Sequence, residues 1–170
     1  MPMQMETPPR RRARLAGTFY VFSVIIAVSG ESILHRWLAI TCGLAAVAGF
    51  VAVTLLMFAI FKPVNRTLAL LAMLFGLAGL TFEALRWGPF GIDMGVVLHG
   101  VYCLLIGCLV LRSTFLPRIL GALMAIAGLA WMVRISPHLA HHFYSYSVGV
   151  GFFGEGLLML WLLLVGVNSQ

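Results

Sequence analysis

The stretch that decides the fold is Phe143 to Val167, FYSYSVGVGFFGEGLLMLWLLLVGV. It is long enough to cross a bilayer, which takes about 20 apolar residues, and carries one charge, Glu155, close to its middle. Elsewhere the charges lie at or near the ends of long apolar runs. Five further runs are read working back from it: Leu15 to Gly30, Trp37 to Phe61, Thr67 to Trp87, Ile92 to Leu111, and Pro117 to Ile135. Hydrophobic residues make up 62% of the 170 and charged residues 9%, against about a quarter charged in a soluble domain. So few charges cannot make a water-facing surface. The expected fold class is all-α, an integral membrane bundle of six transmembrane helices. Residues 1–13 form a basic cytoplasmic tail and residues 14–170 a single domain.

The prolines agree with this parsing. Pro2, Pro8 and Pro9 lie in the tail, Pro63, Pro89 and Pro137 lie in connections, and Pro117 opens a helix, where its missing N–H costs nothing. The first run is the shortest. Its basic flank and the small residues Ala27 and Ser29 also fit a cleaved signal, but Glu31 to Arg36 lead straight into the next run, which favours a retained first helix.

Orientation follows from lysine and arginine. With the amino terminus inside, the inner side carries Arg10, Arg11, Arg12, Arg14, Lys62, Arg66, Arg112 and Arg118, and the outer side Arg36, Arg86 and Arg134. This bias puts both termini in the cytoplasm of a multi-pass protein of the bacterial inner membrane. Trp37, Trp87 and Trp131 fall near outer helix ends, as an aromatic belt would place them. The net charge of +6 is dispersed over helix ends, so lipid headgroups are the expected partners and nucleic acid is not. Cys42, Cys103 and Cys108 all lie in apolar runs and are odd in number, which argues for buried thiols over a disulfide framework.

Arg14, Arg66 and Arg118 recur at a spacing of 52, and Leu68, Leu71, Gly76, Leu77 and Ala78 match Leu120, Leu123, Gly128, Leu129 and Ala130. Three stacked hairpins would give this pattern, and so would evenly spaced helices under the positive-inside rule. Ala45 with Gly49, Gly121 with Ala125, and Ser147 with Gly151 have the small-xxx-small spacing of packing seams.

From Lys62 onward the sequence resembles a family of bacterial membrane proteins known as domain of unknown function 4386. KPVNRTLALLA (Lys62 to Ala72), LRSTFLPRILGALMAIAGL (Leu111 to Leu129) and GEGLLMLWLLLVGVN (Gly154 to Asn168) carry the likeness, with RLAGTFY (Arg14 to Tyr20) near the start. The resemblance implies a six-helix inner-membrane protein. The family has no established activity, so no catalytic role is carried over.

Glu155 is the leading candidate for chemistry. If the last helix enters the membrane near Phe143, a rise of about 1.5 Å per residue puts Glu155 roughly 18 Å down, near the middle of the hydrocarbon. A carboxyl there is costly unless protonated or partnered. It is read either as a proton, cation or polar-ligand site, or as a hydrogen-bonded group that fixes packing. Gly149, Gly151 and Gly154 have GxGxxG spacing, but inside an apolar helix they lack the strand that a dinucleotide fingerprint needs. Towards the outer side, Glu83 and Arg86 are spaced for an ion pair at i,i+3, and His99 and Cys103 share a face at i,i+4 beside Tyr102. With Glu31, His35 and Asp93 these groups would surround a cavity opening outward, or simply form a ring of interfacial charges.

The connection SPHLAHHFYSY places His138 and His142 at i,i+4, a spacing that binds a divalent metal when a third ligand such as His35 or Glu83 comes near. The competing reading is headgroup-level histidines. A bis-histidine haem would have only His99 and His35 to use. Ser145 or Ser147 with a loop histidine and Asp93 shows no nucleophile motif.

Three functions compete on these residues. The first is a small carrier or ligand-binding module with Glu155 at its centre and Glu83, Arg86 and His99 lining the approach. The second is a non-catalytic scaffold, with a partner membrane protein or a second copy on the small-residue seams. The third is an outward-facing metal-dependent enzyme using His138 and His142. No cofactor is expected beyond a divalent metal in that last case.

Overall fold

The computed structural model describes residues 9–31, 36–85 and 92–167. Six α-helices account for nearly all of them: α1 (Pro9–Glu31), α2 (Arg36–Phe61), α3 (Arg66–Ala84), α4 (Met94–Arg112), α5 (Arg118–Met132) and α6 (Pro137–Leu164), with a 3-10 turn at Val133–Ile135 between the last two. There is no strand among the described residues. Five helices are long and apolar enough to cross a membrane: Ile40–Phe61 of α2, α3, α4, the Arg118–Ile135 segment and α6. Helix α1 carries four arginines in its first turns and runs apolar only from Leu15. The protein is an all-α, multi-pass membrane bundle.

Local chemistry sets the boundaries. The Asn65 side chain accepts from the Leu68 N–H at 3.0 Å and starts α3, and Asp93 does the same for Val96 at 3.4 Å on α4. Pro117 is the N-cap of α5, and a proline occupies the first turn of α6. Gly166, at φ 77°, ends α6 in the left-handed conformation, its N–H reaching back to the Trp161 carbonyl at 3.0 Å.

Two boundaries differ from the sequence reading. Helix α6 starts at Pro137, not near Phe143, so the histidine-rich segment forms its first turns. The Ala140 N–H bonds the Ser136 carbonyl at 2.9 Å, and the segment is satisfied as helix before the apolar run begins. Helix α1 starts at Pro9, and its first turns pack. Ala13 and Ala16 are fully buried, and Arg10 Nε donates to the Val167 carbonyl at 3.4 Å. The two ends of the bundle's chain therefore meet on one face.

Each helix packs on its neighbours in sequence, and α1 closes back onto α6. The result is a ring of six antiparallel neighbours. Met57, Phe61, Ile106, Leu109, Met124, Leu158, Met159 and Leu162 fill its interior, while Phe22, Ile25, Leu44, Leu74, Ile119, Leu129, Phe153 and Leu164 stand exposed on its outside. That apolar exterior is what lipid contact requires. The hairpins α1–α2, α3–α4 and α5–α6 all form, and α4–α5 packs at least as closely.

Since lipid supplies no hydrophobic drive for helices to associate, close backbone approach carries the packing. Between α4 and α5 a Cβ on Gly107 would meet the Gly121 carbonyl at 2.8 Å, and one on Gly128 would meet the Gly100 carbonyl at 2.7 Å. One glycine of each expected seam is packed within the ring, whereas Ala45, the partner of Gly49 in the first, is exposed. Gly49 lies against Ser23, Gly121 against Gly107 and Leu111, and Gly151 against the Trp131 ring.

Candidate functional site

Glu155 sits in α6 with its residue 3% exposed. It lies nine residues before Leu164, roughly 13 Å from the C-terminal end of the helix, against a ~30 Å hydrocarbon layer. The earlier start of α6 therefore leaves it near mid-depth, with the extra turns projecting at the N-terminal end of the helix.

Four donors from three other helices converge on its carboxylate. Tyr20 of α1 donates its hydroxyl to Oε2 at 3.3 Å. His99 Nε2 of α4 lies 3.0 Å from Oε1, and Cys103 Sγ, one turn on, donates to the same oxygen at 3.4 Å. The indole N–H of Trp131 in α5 also donates to Oε1. A buried carboxylate is tolerated when its lone pairs are used and a cation stands close, and His99, when protonated, supplies that cation. Edge-on contacts fix the rings, with His99 and Trp131 centroids 6.1 Å apart and Trp131 and Phe152 centroids 5.4 Å apart.

Beside the carboxylate is a cavity of about 20 Å³, enough for one water. Every helix contributes to its wall: Tyr20 from α1, Thr54 from α2, Gly76 from α3, Tyr102 from α4, Met124 from α5 and Glu155 from α6. Tyr102 is 4% exposed, and its hydroxyl has no hydrogen-bond partner. Thr54, in the same wall, donates its own proton to the Phe50 carbonyl at 2.9 Å.

Of the residues singled out in sequence, Glu155, His99 and Cys103 come together, and Cys103 is a hydrogen-bond donor as well as a buried thiol. Trp131, which its place near a helix end assigns to the membrane interface, instead turns into the core, 6% exposed. Tyr20 and Tyr102 complete the centre. Glu83 is exposed at the α3–α4 seam, pressed on Gly95, and is not one of the groups that bond Glu155. Arg86, His35 and Trp87 lie outside the described residues.

A second polar group lies toward the N-terminal end of α6. Arg134 Nη1 meets Asp93 Oδ2 at 3.0 Å, and its guanidinium lies 4.8 Å from the Tyr144 ring centroid and 5.6 Å from that of Trp131. Local spacing gives no hint of this charged pair, because the two residues lie 41 positions apart.

His138 and His142 share a face of α6 as their spacing suggests, with rings stacked at 4.9 Å, and both are exposed. Among the described residues no third histidine, cysteine or carboxylate completes a ligand cluster with that pair. The group there whose ligand atoms do cluster is His99, Cys103 and Glu155, all within 4.8 Å of one another. Ser147 is buried and donates to the Tyr144 carbonyl at 2.9 Å.

A model of the family described as Domain of unknown function (DUF4386) matches residues 80–166, a stretch holding His99, Cys103, Trp131 and Glu155 but not Tyr20. An uncharacterized protein of Archaeoglobus fulgidus is 37% identical over 76 residues, which cover 44% of this chain and 46% of that protein. The chain thus spans about half the length of the curated relative it matches. No solved structure matches. With just over half of its length matched by the family model, the chain belongs to the DUF4386 family.

Proposed function

We propose that the protein is a small carrier or ligand-binding module of the bacterial inner membrane, with both termini cytoplasmic and Glu155 as its central polar group. One observation carries this reading: an ionisable side chain at mid-depth is met by donors from α1, α4 and α5 beside a cavity walled by all six helices. An intramembrane carboxylate with a named cationic partner is costly to keep, and such groups mark ion, proton and substrate sites. The size of the cavity restricts the bound species to a small cation, a proton carried on water, or a comparably small polar solute. Helix motion would be needed to pass anything larger. The eight-to-three lysine and arginine bias supports the orientation.

The test is Glu155→Gln in the full chain, purified in mild detergent, with thermal stabilisation by monovalent cations, divalent cations and small amines compared against wild type. The reading expects at least one of these to stabilise wild type and not the variant. A folded variant that matches wild type in every titration, and in growth of the host, contradicts it.

A further inference from the structure

We infer that His99 Nε2, Cys103 Sγ and Glu155 Oε1 form a three-ligand site for a divalent transition-metal ion of the zinc class, held inside the helix ring. This rests on the reading of Glu155 as a binding centre and names its ligand.

Geometry is the first support. The carboxylate oxygen lies 3.0 Å from the imidazole nitrogen and 3.4 Å from the thiol sulfur, and all three atoms lie within 4.8 Å of one another. A tetrahedral ion with bonds of about 2.0–2.3 Å separates its ligands by about 3.3–3.6 Å. A shift of a few tenths of an ångström brings the carboxylate pairs to that spacing, and the imidazole–thiol pair, which lies within 4.8 Å, closes by up to about 1.2 Å through side-chain rotation. His99 and Cys103 are one turn apart on α4, so a single helix face presents both, and Glu155 closes the set from α6.

The surroundings are the second support. A ligating carboxylate needs its other oxygen held, and Tyr20 donates to Oε2 at 3.3 Å while Trp131 braces Oε1. The buried Tyr102 hydroxyl, unpartnered in the cavity wall, is placed to bond a water in the fourth position. His99 is the less enclosed of the two, its side chain 26% exposed against 4% for that of Glu155.

Charge is the third. When His99 starts as imidazolium beside the Glu155 carboxylate, binding of one dication releases one proton from His99 and one from Cys103. The site is then a dication with a carboxylate, a thiolate and a neutral imidazole, and is net neutral before and after. A low-dielectric interior favours such an exchange over an uncompensated cation. Thiolate with imidazole selects zinc-class metals over calcium and magnesium, which prefer oxygen ligands.

The experiment uses the full chain in mild detergent, purified without a histidine tag and stripped with chelator, then titrated with cobalt(II) and with zinc(II). The expected result is one equivalent bound, with a thiolate-to-cobalt charge-transfer band that zinc abolishes. Cys103→Ser, which nearly preserves shape, should remove the band and weaken zinc binding at least tenfold. The His138→Ala/His142→Ala double variant should bind as wild type. Wild-type protein that binds no stoichiometric metal, or metal lost in the double variant and kept in Cys103→Ser, overturns the assignment. The wider reading is judged separately, because a metal-free carrier would still lose its small-cation or amine stabilisation in Glu155→Gln.

Discussion

The α-carbon of Gly151 lies directly against the indole of Trp131, so that a Cβ there would overlap the ring atoms Cε2, Cζ2 and Nε1. That ring donates its N–H to Glu155, one turn further along α6. The glycine thus holds open the seat of a donor to the buried carboxylate. Gly151→Ala is expected to push the indole away, break its bond to Glu155 and cost about 1–3 kcal/mol. Chemical denaturation in detergent, read by Trp131 emission with the other tryptophans replaced, measures both effects.

His99 and Glu155 should behave as one unit. Glu155→Leu leaves the Tyr20, Trp131, Cys103 and His99 groups without their acceptor, and is expected to cost about 3–5 kcal/mol. Once Glu155 is gone, His99→Gln removes far less. A double-mutant cycle on unfolding free energy should give a coupling of about 0.5–3 kcal/mol, and additive effects would show that the ion pair contributes nothing.

Arg134 should matter more than its charged partner. The Asp93 side chain is 46% exposed, so Asp93→Asn is expected to cost no more than about 1 kcal/mol. Arg134→Ala also loses the guanidinium over Tyr144 and Trp131, adding about 0.5–1 kcal/mol. Thermal unfolding at low and high salt separates the two, because only the ion pair is screened.

Glycines in the ring should divide sharply. Gly128 touches the Gly100 backbone and Leu104, whereas a Cβ added at Gly43 would meet nothing within 4 Å. Gly128→Leu is expected to separate α4 from α5 and to leave little folded protein in detergent, as scored by size-exclusion chromatography. Gly43→Leu adds an apolar side chain to the lipid face and should elute as wild type.

Much of the fold is legible in the chain. The six apolar runs, with Pro63 in a connection and Pro117 at the head of α5, lead to the six helices of the described residues and to their order, because a bilayer leaves few alternatives, whereas Pro9 and Pro137, read as tail and connection, open α1 and α6. The start of α6 is hidden because His138, His141 and His142 with Tyr144 and Tyr146 read as a loop, although Pro137 is a helix-opening signal. Glu155 is visible as the one charge deep in an apolar run. Its partners are harder to see, since the sequence does not fix how each helix is rotated about its axis. His99 and Trp131 each lie thirteen residues from the arginine at the joined ends of their helices, Arg112 and Arg118, which puts them at equal depth. That match is the available signal, and the aromatic-belt pattern draws Trp131 away from it. Tyr20 gives none, being one aromatic among many.

The bond between Trp131 and Glu155 ties α5 to the buried carboxylate at the heart of the bundle, and the indole N–H spectrum tests it most directly. The chain has four tryptophans, so ¹⁵N-labelled protein in detergent gives up to four indole signals. The prediction is one signal protected from exchange with deuterated solvent, absent in Trp131→Phe and displaced in Glu155→Gln while the others stay in place. A Trp131 signal that exchanges freely and does not move in Glu155→Gln would contradict the account.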